Sequence, residues 1–396
     1  MSPQRLIMLT FFLQPLAFGS WLPRIPDIQQ RLSLGPAELA LALLGLPVGI
    51  LLTLPFAGPL VARIGARSAI RFGFVTYLIA VCLPAFSFNI GMLFGALLIL
   101  GIAISTLELG LNVKADETEK ATGSVIMSTC HGFWSLGMMV GSLLGAGLAA
   151  LSLAPQWSVI VAAALVTPIA LVVSRALPEG GHAGSGTKSE KQGGFFVPGP
   201  LLLGICVFAF GITMTEGAAA DWSAVYLKQV FGAESGAAGI GYSGFAMMVA
   251  AGRFAGDWMK THWGPVMVAR VCVVAALGGV AILFVSPTYA VSLAGFGLAG
   301  FGVSVGFPLA VTAAAGVDGR PAAANVAILS LVALIGFLVG PPLIGFVAEH
   351  GGLRFGLLML APGLVLSLVL AGMLQPRQPF GEDQALAAAL PIGNGK

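Results

Sequence analysis

The sequence predicts an all-α membrane protein in which twelve transmembrane helices form two pseudo-symmetric six-helix bundles. Only 9% of its 396 residues are charged and 57% are hydrophobic, whereas about a quarter of the residues of a soluble domain are charged. Most apolar runs reach the ~20 residues that a helix needs to cross a bilayer. A transmembrane β-barrel is excluded, because its strands alternate over only about ten residues.

Six apolar segments precede a polar stretch and six follow it. The first six cover residues 6–29, 38–60, 70–88, 91–113, 124–150 and 157–176. The last six cover residues 198–224, 236–259, 265–286, 288–315, 322–348 and 353–374. We therefore divide the chain into an N-terminal bundle (1–176), a polar linker (177–197), a C-terminal bundle (198–375) and a tail (376–396).

The two halves of the sequence echo each other. Stretches rich in Gly and basic residues end segment two, at 58–67, and segment eight, at 252–270. Segments five and eleven both carry glycines four residues apart, within 137–145 and 336–345. Matching features six helices apart indicate two parallel repeats related by an axis along the membrane normal.

Basic residues lie mainly on one side of this topology. With the N-terminus inside, fifteen of the 19 Lys and Arg residues fall on the inner side. The four on the outer side are Arg24, Arg31, Lys228 and Arg354. Cytoplasmic loops carry such an excess of Lys and Arg. The sequence therefore predicts a multi-pass protein of the bacterial inner membrane, with both termini, the linker and the tail in the cytoplasm.

A carboxylate inside segment four is the leading candidate for ion coupling. Glu108 and Asn112 are four residues apart, so they share one face of a helix. A charge that faces lipid costs at least ~2.5 kcal/mol, so an acid in a membrane helix normally faces a water-filled cavity or a partner. His131, in the antiparallel segment five, is expected at a similar depth and would share a proton with Glu108. A structural polar cluster between helices is the alternative interpretation.

Other groups at mid-span are candidates for binding the solute. Besides Asn112, Trp134 lies one turn beyond His131 and would stack on a sugar ring, although packing between helices explains an aromatic residue equally well. Gln14 would bind a solute hydroxyl or join two helices by a hydrogen bond. Glu216, in segment seven and towards its outer side, is a second candidate for proton coupling or solute binding.

Four charged residues near segment ends are gating candidates. Arg24, at the outer end of segment one, would pair with Glu216 or Asp221 as an outer gate, or would extend to the membrane interface. Asp221 marks the outer boundary of segment seven. Arg253 and Asp257 are four residues apart at the inner end of segment eight, so they would form a local ion pair that latches the inner gate.

With these features the chain resembles the major facilitator superfamily over about residues 5–375. Its Gly-rich basic loops carry part of the resemblance, although Ala62 stands where the family's first-loop motif has Asp; the second copy keeps Asp257. Within the superfamily it is similar to the bacterial branch that includes the fucose–proton symporter and uncharacterised inner-membrane relatives. The stretches that carry this similarity are 11–26, 107–112 and 130–137.

The resemblance implies the MFS fold, with two six-helix bundles around one cavity, and a proton-coupling role for Glu108. The chain departs from the symporter at two positions. His131 stands where the symporter has Gln, and Leu22 aligns with a second acid of its first helix. A relay through two carboxylates is therefore not reproduced in this sequence.

We expect a secondary active transporter that moves a small polar solute, with a sugar as one candidate, by proton-coupled symport and alternating access. A proton-driven exporter of small molecules and a non-transporting membrane sensor are the alternatives. An enzyme is not expected, because the sequence has no zinc-type spacing, phosphate-binding loop or nucleophile elbow. Its four cysteines show no metal-ligand spacing.

The predicted energy source is the proton gradient, with sodium as an alternative ion and no cofactor. Expected partners are the solute, protons and the lipid bilayer. A net charge of +3 spread over loops gives no footprint for nucleic acid. We expect the chain to work as a monomer.

Overall fold

The computed structural model describes residues 1–124, 126–179 and 198–375. Within these ranges the regular structure is helical, and no strand occurs among them. Most of the predicted linker and all of the predicted tail lie outside the described residues, so the assignment of 177–197 and 376–396 to the cytoplasm stays a prediction.

Eleven helical segments in the described ranges are long and apolar enough to cross a membrane. The first half contributes span 1 (Pro3–Arg31), span 2 (Pro36–Ile64), span 3 (Ala66–Phe86), span 4 (Ile90–Thr122), span 5 (Thr129–Ala150) and span 6 (Pro155–Ala176). The second half contributes span 7 (Pro200–Phe231), a 51-residue helix (Ser235–Val285), span 10 (Tyr289–Ala315), span 11 (Ala324–Gly351) and span 12 (Leu353–Leu374).

The 51-residue helix consists of two spans in succession. At Gly264 the backbone leaves the helical region, with φ 74° and ψ 159°, and this positive φ favours glycine. A continuous helix of that length would measure ~77 Å, more than twice the ~30 Å hydrocarbon core. We number the two pieces span 8 (235–263) and span 9 (265–285). The predicted total of twelve helices is thereby confirmed.

Span 1 changes from an α-helix to a 3₁₀-helix near its outer end. Its α-helix Pro3–Trp21 passes into a 3₁₀ turn at Leu22–Arg24, and a second α-helix covers Ile25–Arg31. Prolines 23 and 26 lie in this region and carry no N–H donor, which limits regular helix hydrogen bonding. The turn brings Arg24 next to Asp27 at a spacing of three residues.

Within each half, glycines let two helices pack closely, and the helices involved occupy equivalent positions in the two halves. In span 5, Gly137, Gly141 and Gly145 lie against the main chain of span 1, where an added Cβ would collide with carbonyl groups. In span 11, Gly336 lies against the Thr213 side chain and the Phe210 carbonyl of span 7, and Gly340 lies against Met214. Small residues four apart are a common basis of close helix packing in membranes. The pairs 1–5 and 7–11 are six helices apart, which supports two parallel repeats.

Several hydrogen bonds join the two halves on one side of the membrane. We call this side, where span 1 ends, the outer side, following the distribution of Lys and Arg. Ser243 of span 8 donates to the Ser142 hydroxyl of span 5 at 2.9 Å. Nearer the surface, the Ala37 amide at the start of span 2 donates to Glu349 of span 11 at 3.1 Å. These contacts hold the outer sides of the halves together in this conformation.

Candidate functional site

A group of polar side chains joins the two halves near the middle of the spans. We call it the central cluster, and its members are Gln14 of span 1, Trp134 and Ser135 of span 5, Glu216 of span 7 and Arg253 of span 8. Glu216 lies halfway along the 32-residue span 7. Glu216 is therefore placed near mid-membrane depth.

Arg253 makes three of the hydrogen bonds in the central cluster. Its Nη2 donates to Glu216 Oε1 at 3.2 Å, and its Nε donates to the backbone carbonyl of Ser304 at 3.3 Å. Its Nη1 donates to the Ser135 hydroxyl of the other half. The Arg253 and Glu216 side chains are 16% and 14% exposed. One cation of the second half is thus held by an acid of its own half and by a hydroxyl across the interface.

The predicted ion pair between Arg253 and Asp257 is wrong. Span 8 continues to residue 263, so Arg253 lies well inside the span rather than at its inner end. Its side chain reaches into the interface, where Glu216 is available. The Asp257 side chain is instead 87% exposed, and its Oδ1 lies 4.0 Å from Lys260 Nζ. The expected position of Glu216 towards the outer side is also wrong, because its pairing places it at mid-span.

Gln14 and Trp134, both predicted to contact the solute, contact each other. The Trp134 indole donates to Gln14 Oε1 at 2.9 Å. The Tyr77 hydroxyl donates to the backbone carbonyl of Gln14 and accepts from the Phe18 amide at 2.9 Å. These bonds fix the indole beside the charged pair.

A small cavity lies next to the charged pair. Its volume is about 10 Å³, which is room for roughly one water molecule. Both halves line it, through Trp134, Ser135, Met138, Glu216, Tyr242, Phe245, Ala246 and Val249. The halves must therefore separate at this level before a solute can reach the pair.

Glu108 is partly exposed, and in the described ranges its carboxylate forms no hydrogen bond or ion pair. It comes nine residues after Ile99, which is 50% exposed on the lipid side. At 3.6 residues per turn this spacing places Glu108 on the opposite side of the helix. The Asn112 amide donates to the backbone carbonyl of Glu108 at 2.9 Å. The acid therefore lies on the face opposite Ile99 and is partly exposed.

The predicted sharing of a proton between Glu108 and His131 does not correspond to a contact. No hydrogen bond between them occurs in the part of the chain that the structure describes. The exposed His131 packs its ring edge-on against Phe11, with centroids 5.5 Å apart. Arg253 is close enough for its charge to influence the imidazole. His131 therefore lies at the edge of the central cluster, separate from Glu108 in this conformation.

A second charged group lies on the outer side. We call it the outer cluster, and its members are Arg24, Asp27, Lys228 and Ser235. Lys228 donates to Asp27 Oδ1 at 2.9 Å, and the Ser235 hydroxyl donates to the same oxygen. Asp27 belongs to span 1, whereas Lys228 and Ser235 belong to the second half. One carboxylate of the first half therefore holds two groups of the second, beside a cavity of about 770 Å³.

The predicted pairing of Arg24 with Glu216 or Asp221 is wrong. Arg24 Nη2 lies 3.2 Å from Asp27 and donates to the Leu153 carbonyl at 2.7 Å. Glu216 is too deep in the membrane for Arg24, since it pairs with Arg253. Half-buried Asp221 makes no hydrogen bond in the described ranges. The spacing of three residues between Arg24 and Asp27 is the sequence signal for this pair.

The side chains give no metal-binding group within the described ranges. No three His, Cys, Asp or Glu residues come together there. The four cysteines are free, and three of them are buried.

Sequence comparison connects most of the chain to one family of transporters. A family model described as Major Facilitator Superfamily matches residues 7–326. An uncharacterised MFS-type transporter of Yersinia pestis is 31% identical over 353 residues, which cover 89% of this chain and 90% of that protein.

Solved structures show the same fold. A mutant of the nucleoside transporter NupG matches with a TM-score of 0.76 and 14% identity, over 94% of this chain and 100% of that one. FucP, a Major Facilitator Superfamily transporter captured in the outward conformation, matches with a TM-score of 0.66 and 18% identity, over 95% and 99% of the two chains. Identities this low establish a shared fold, in agreement with the resemblance drawn from the sequence.

Proposed function

This chain belongs to the Major Facilitator Superfamily, and from that premise we propose that it moves a small polar solute by proton-coupled symport. As a member of that family it is a multi-pass membrane transporter. The proposal adds the ion, the kind of solute and the residues involved. It also places the protein in the bacterial inner membrane with both termini in the cytoplasm, on the bias of Lys and Arg between its two sides, and it takes the functional unit to be a monomer.

The single observation that carries the proposal is the unpaired acid at position 108. An ionisable residue in a membrane helix is costly unless it faces a polar cavity, and it usually has a functional role. Glu108 lies on the face opposite Ile99, is partly exposed and has no described partner. A proton on Glu108 removes its charge, and this changes the conformations that the helix tolerates.

Coupling requires that proton and solute favour the same conformation over the other. The outer cluster and the contact between Ala37 and Glu349 hold the outer side closed. Movement of the halves about the central cluster opens one side while the other closes. Glu216, which also lies between the halves, is a second group able to take a proton once its bond to Arg253 is broken.

The solute is expected to contact the central cluster. Gln14 and Trp134 provide an amide and an aromatic face, and Asn112 lies on the helix face of Glu108. An aromatic ring beside hydrogen-bonding groups suits a hydroxylated solute, so a sugar or sugar derivative is a candidate.

A solute screen in proteoliposomes tests the proposal. Sugars and small metabolites are added outside vesicles that contain the purified chain, and the external pH is followed. We expect at least one solute to cause external alkalinisation, and the Glu108→Gln variant to lose this signal. Asp116→Asn, an exposed acid of the same span that pairs with Lys120, is the matched control and should retain it.

The same screen separates the alternatives. Acidification outside on addition of a drug-like compound would indicate a proton-driven exporter. Tight binding of a solute without any flux would indicate a sensor. Alkalinisation that is unchanged in Glu108→Gln would leave transport intact and remove Glu108 from the coupling role.

A further inference from the structure

The guanidinium of Arg253 has unused donors next to the interface. An arginine carries five N–H groups, and the described hydrogen bonds to Glu216, Ser135 and Ser304 use three of them. The bonds to Ser304 and Ser135 fix the plane of the guanidinium. The remaining donors lie on Nη1 and Nη2, the two nitrogens that bind a carboxylate in parallel.

The contact between Arg253 and Glu216 is weaker than the contact that an arginine and a carboxylate are able to form. It consists of a single hydrogen bond of 3.2 Å from Nη2 to Oε1. Charge-assisted bonds of this type are typically about 2.7–2.9 Å long, and arginine frequently binds a carboxylate with two of them. Glu216 is therefore a partner that a better-placed carboxylate can displace.

The location of the pair favours such an exchange. Trp134 and Ser135 of the first half face Glu216 and Tyr242 of the second across the small cavity. Separation of the halves at this level breaks the bond between Arg253 and Ser135. Nη1 is then freed, and Nη2 becomes available once Glu216 is displaced, so both nitrogens can meet a group that enters this space.

Charge balance selects the chemical class of the solute. A neutral solute that displaced Glu216 would leave an uncompensated cation at mid-membrane, which is costly. A carboxylate keeps Arg253 neutralised and releases Glu216 for the proton that symport requires. The other titratable side chains around the pair are Tyr242, His131 and Asp221.

We propose that the transported solute carries a carboxylate, which binds Arg253 in place of Glu216. The solute class is then small hydroxylated acids rather than neutral sugars. This assignment rests on the proposed function, because it places the solute in the central cluster of a transporter.

Matched pairs of acid and amide test the assignment on the purified full-length chain. The probes are D-glucuronate with D-glucuronamide and lactate with lactamide, each as a sodium salt or with sodium chloride added at equal ionic strength. The melting temperature and a binding titration are measured in detergent. We expect at least one acid to stabilise the protein and to bind, while its amide does neither.

Variants identify the group that binds. Arg253→Lys keeps the charge but loses the paired donors, so the acid should bind about 10-fold more weakly or worse, which corresponds to at least ~1.4 kcal/mol. Glu216→Gln removes the competing carboxylate, so the acid should bind at least as tightly as to the wild type. Arg63→Lys, an exposed arginine at the end of span 2, is the control and should change nothing. Because Glu216→Gln predicts retained or tighter binding, a merely unfolded variant cannot imitate the result.

Three results would overturn the assignment: no binding of either acid, equal binding of acid and amide, or unchanged affinity in Arg253→Lys. Its failure is distinguishable from failure of the proposed function. A neutral solute carried together with protons would refute the carboxylate and leave symport standing. An acid that binds through Arg253 but moves without protons would refute symport and leave the carboxylate site standing.

Discussion

Replacing Asp27 by Asn should shift the protein towards conformations that are open on the outer side. Asp27 is the one member of the outer cluster that holds groups from both halves. Its ion pair with Arg24 lies within span 1 and survives when the halves separate. Its bonds to Lys228 and Ser235 cross the interface and must break. Of the contacts that Asp27 makes, only these two therefore contribute to the preference for the closed outer side.

The size of the shift follows from these two bonds. A hydrogen bond to a charged group contributes about 1.5–3 kcal/mol when it is well shielded. Here the Lys228 and Asp27 side chains are 25% and 14% exposed, so solvent lowers the value. Asn also retains a neutral acceptor. We expect a loss of about 1–2 kcal/mol, which raises the ratio of outward-open to outward-closed molecules roughly 5- to 30-fold.

Spin-label distance measurements test this shift. Leu151, which is 72% exposed, and exposed Glu234 lie on the outer loops of opposite halves. Labels at these positions, in a background without the native cysteines, report the separation of the halves. Asp27→Asn should increase the population at long distance, whereas Asp116→Asn, which changes a half-exposed acid paired with Lys120 within span 4, should not. An unchanged distance distribution in Asp27→Asn would refute the reasoning.

Three further predictions concern single contacts. Trp134→Phe keeps an aromatic ring but loses the hydrogen bond to Gln14, so solute affinity measured by titration should fall roughly 3- to 10-fold. The control Trp157→Phe changes an exposed ring and should keep the wild-type affinity. Equal affinities of the two variants would contradict a binding role for Trp134. Gly141→Val should destabilise the chain by about 1–3 kcal/mol in a detergent unfolding titration, because the added Cβ would meet the span 1 backbone. Gly147 has open space around it, so Gly147→Val should cost less stability. Equal losses of stability would argue against the close packing of spans 1 and 5. Glu349→Gln removes the negative charge that lies against the start of span 2. It should shift the spin-label distances in the same direction as Asp27→Asn does, through a loss of about 0.3–1 kcal/mol for the closed outer side. A shift in the opposite direction would exclude this contact as a latch.

The helices were predictable because their lengths follow from the thickness of a bilayer. Apolar runs of suitable length fix the existence of a span without any knowledge of its neighbours. The break at Gly264, next to Pro265, was visible as a loop signal between two runs. The glycine spacing in spans 5 and 11 indicated close helix contacts. These features depend on local sequence, which explains why the architecture was accessible.

The partners of the charged side chains could not be predicted from the sequence in the same way. Arg253 and Asp257 have the spacing of a helical ion pair, yet the interface offers Arg253 a partner from span 7. The sequence pattern gives the face of a residue but not the helix opposite that face. Glu108 was identifiable because a lone acid in an apolar run is conspicuous. Ser135 carries no such signal, since a single serine in a membrane helix is ordinary.

The most direct test of the account is whether Glu108 links the solute to the proton gradient. In proteoliposomes, Glu108→Gln should exchange labelled for unlabelled solute at a rate near that of the wild type, because exchange needs no net proton movement. The same variant should fail to accumulate solute when a pH gradient is imposed. Accumulation at the wild-type level in Glu108→Gln would contradict the account.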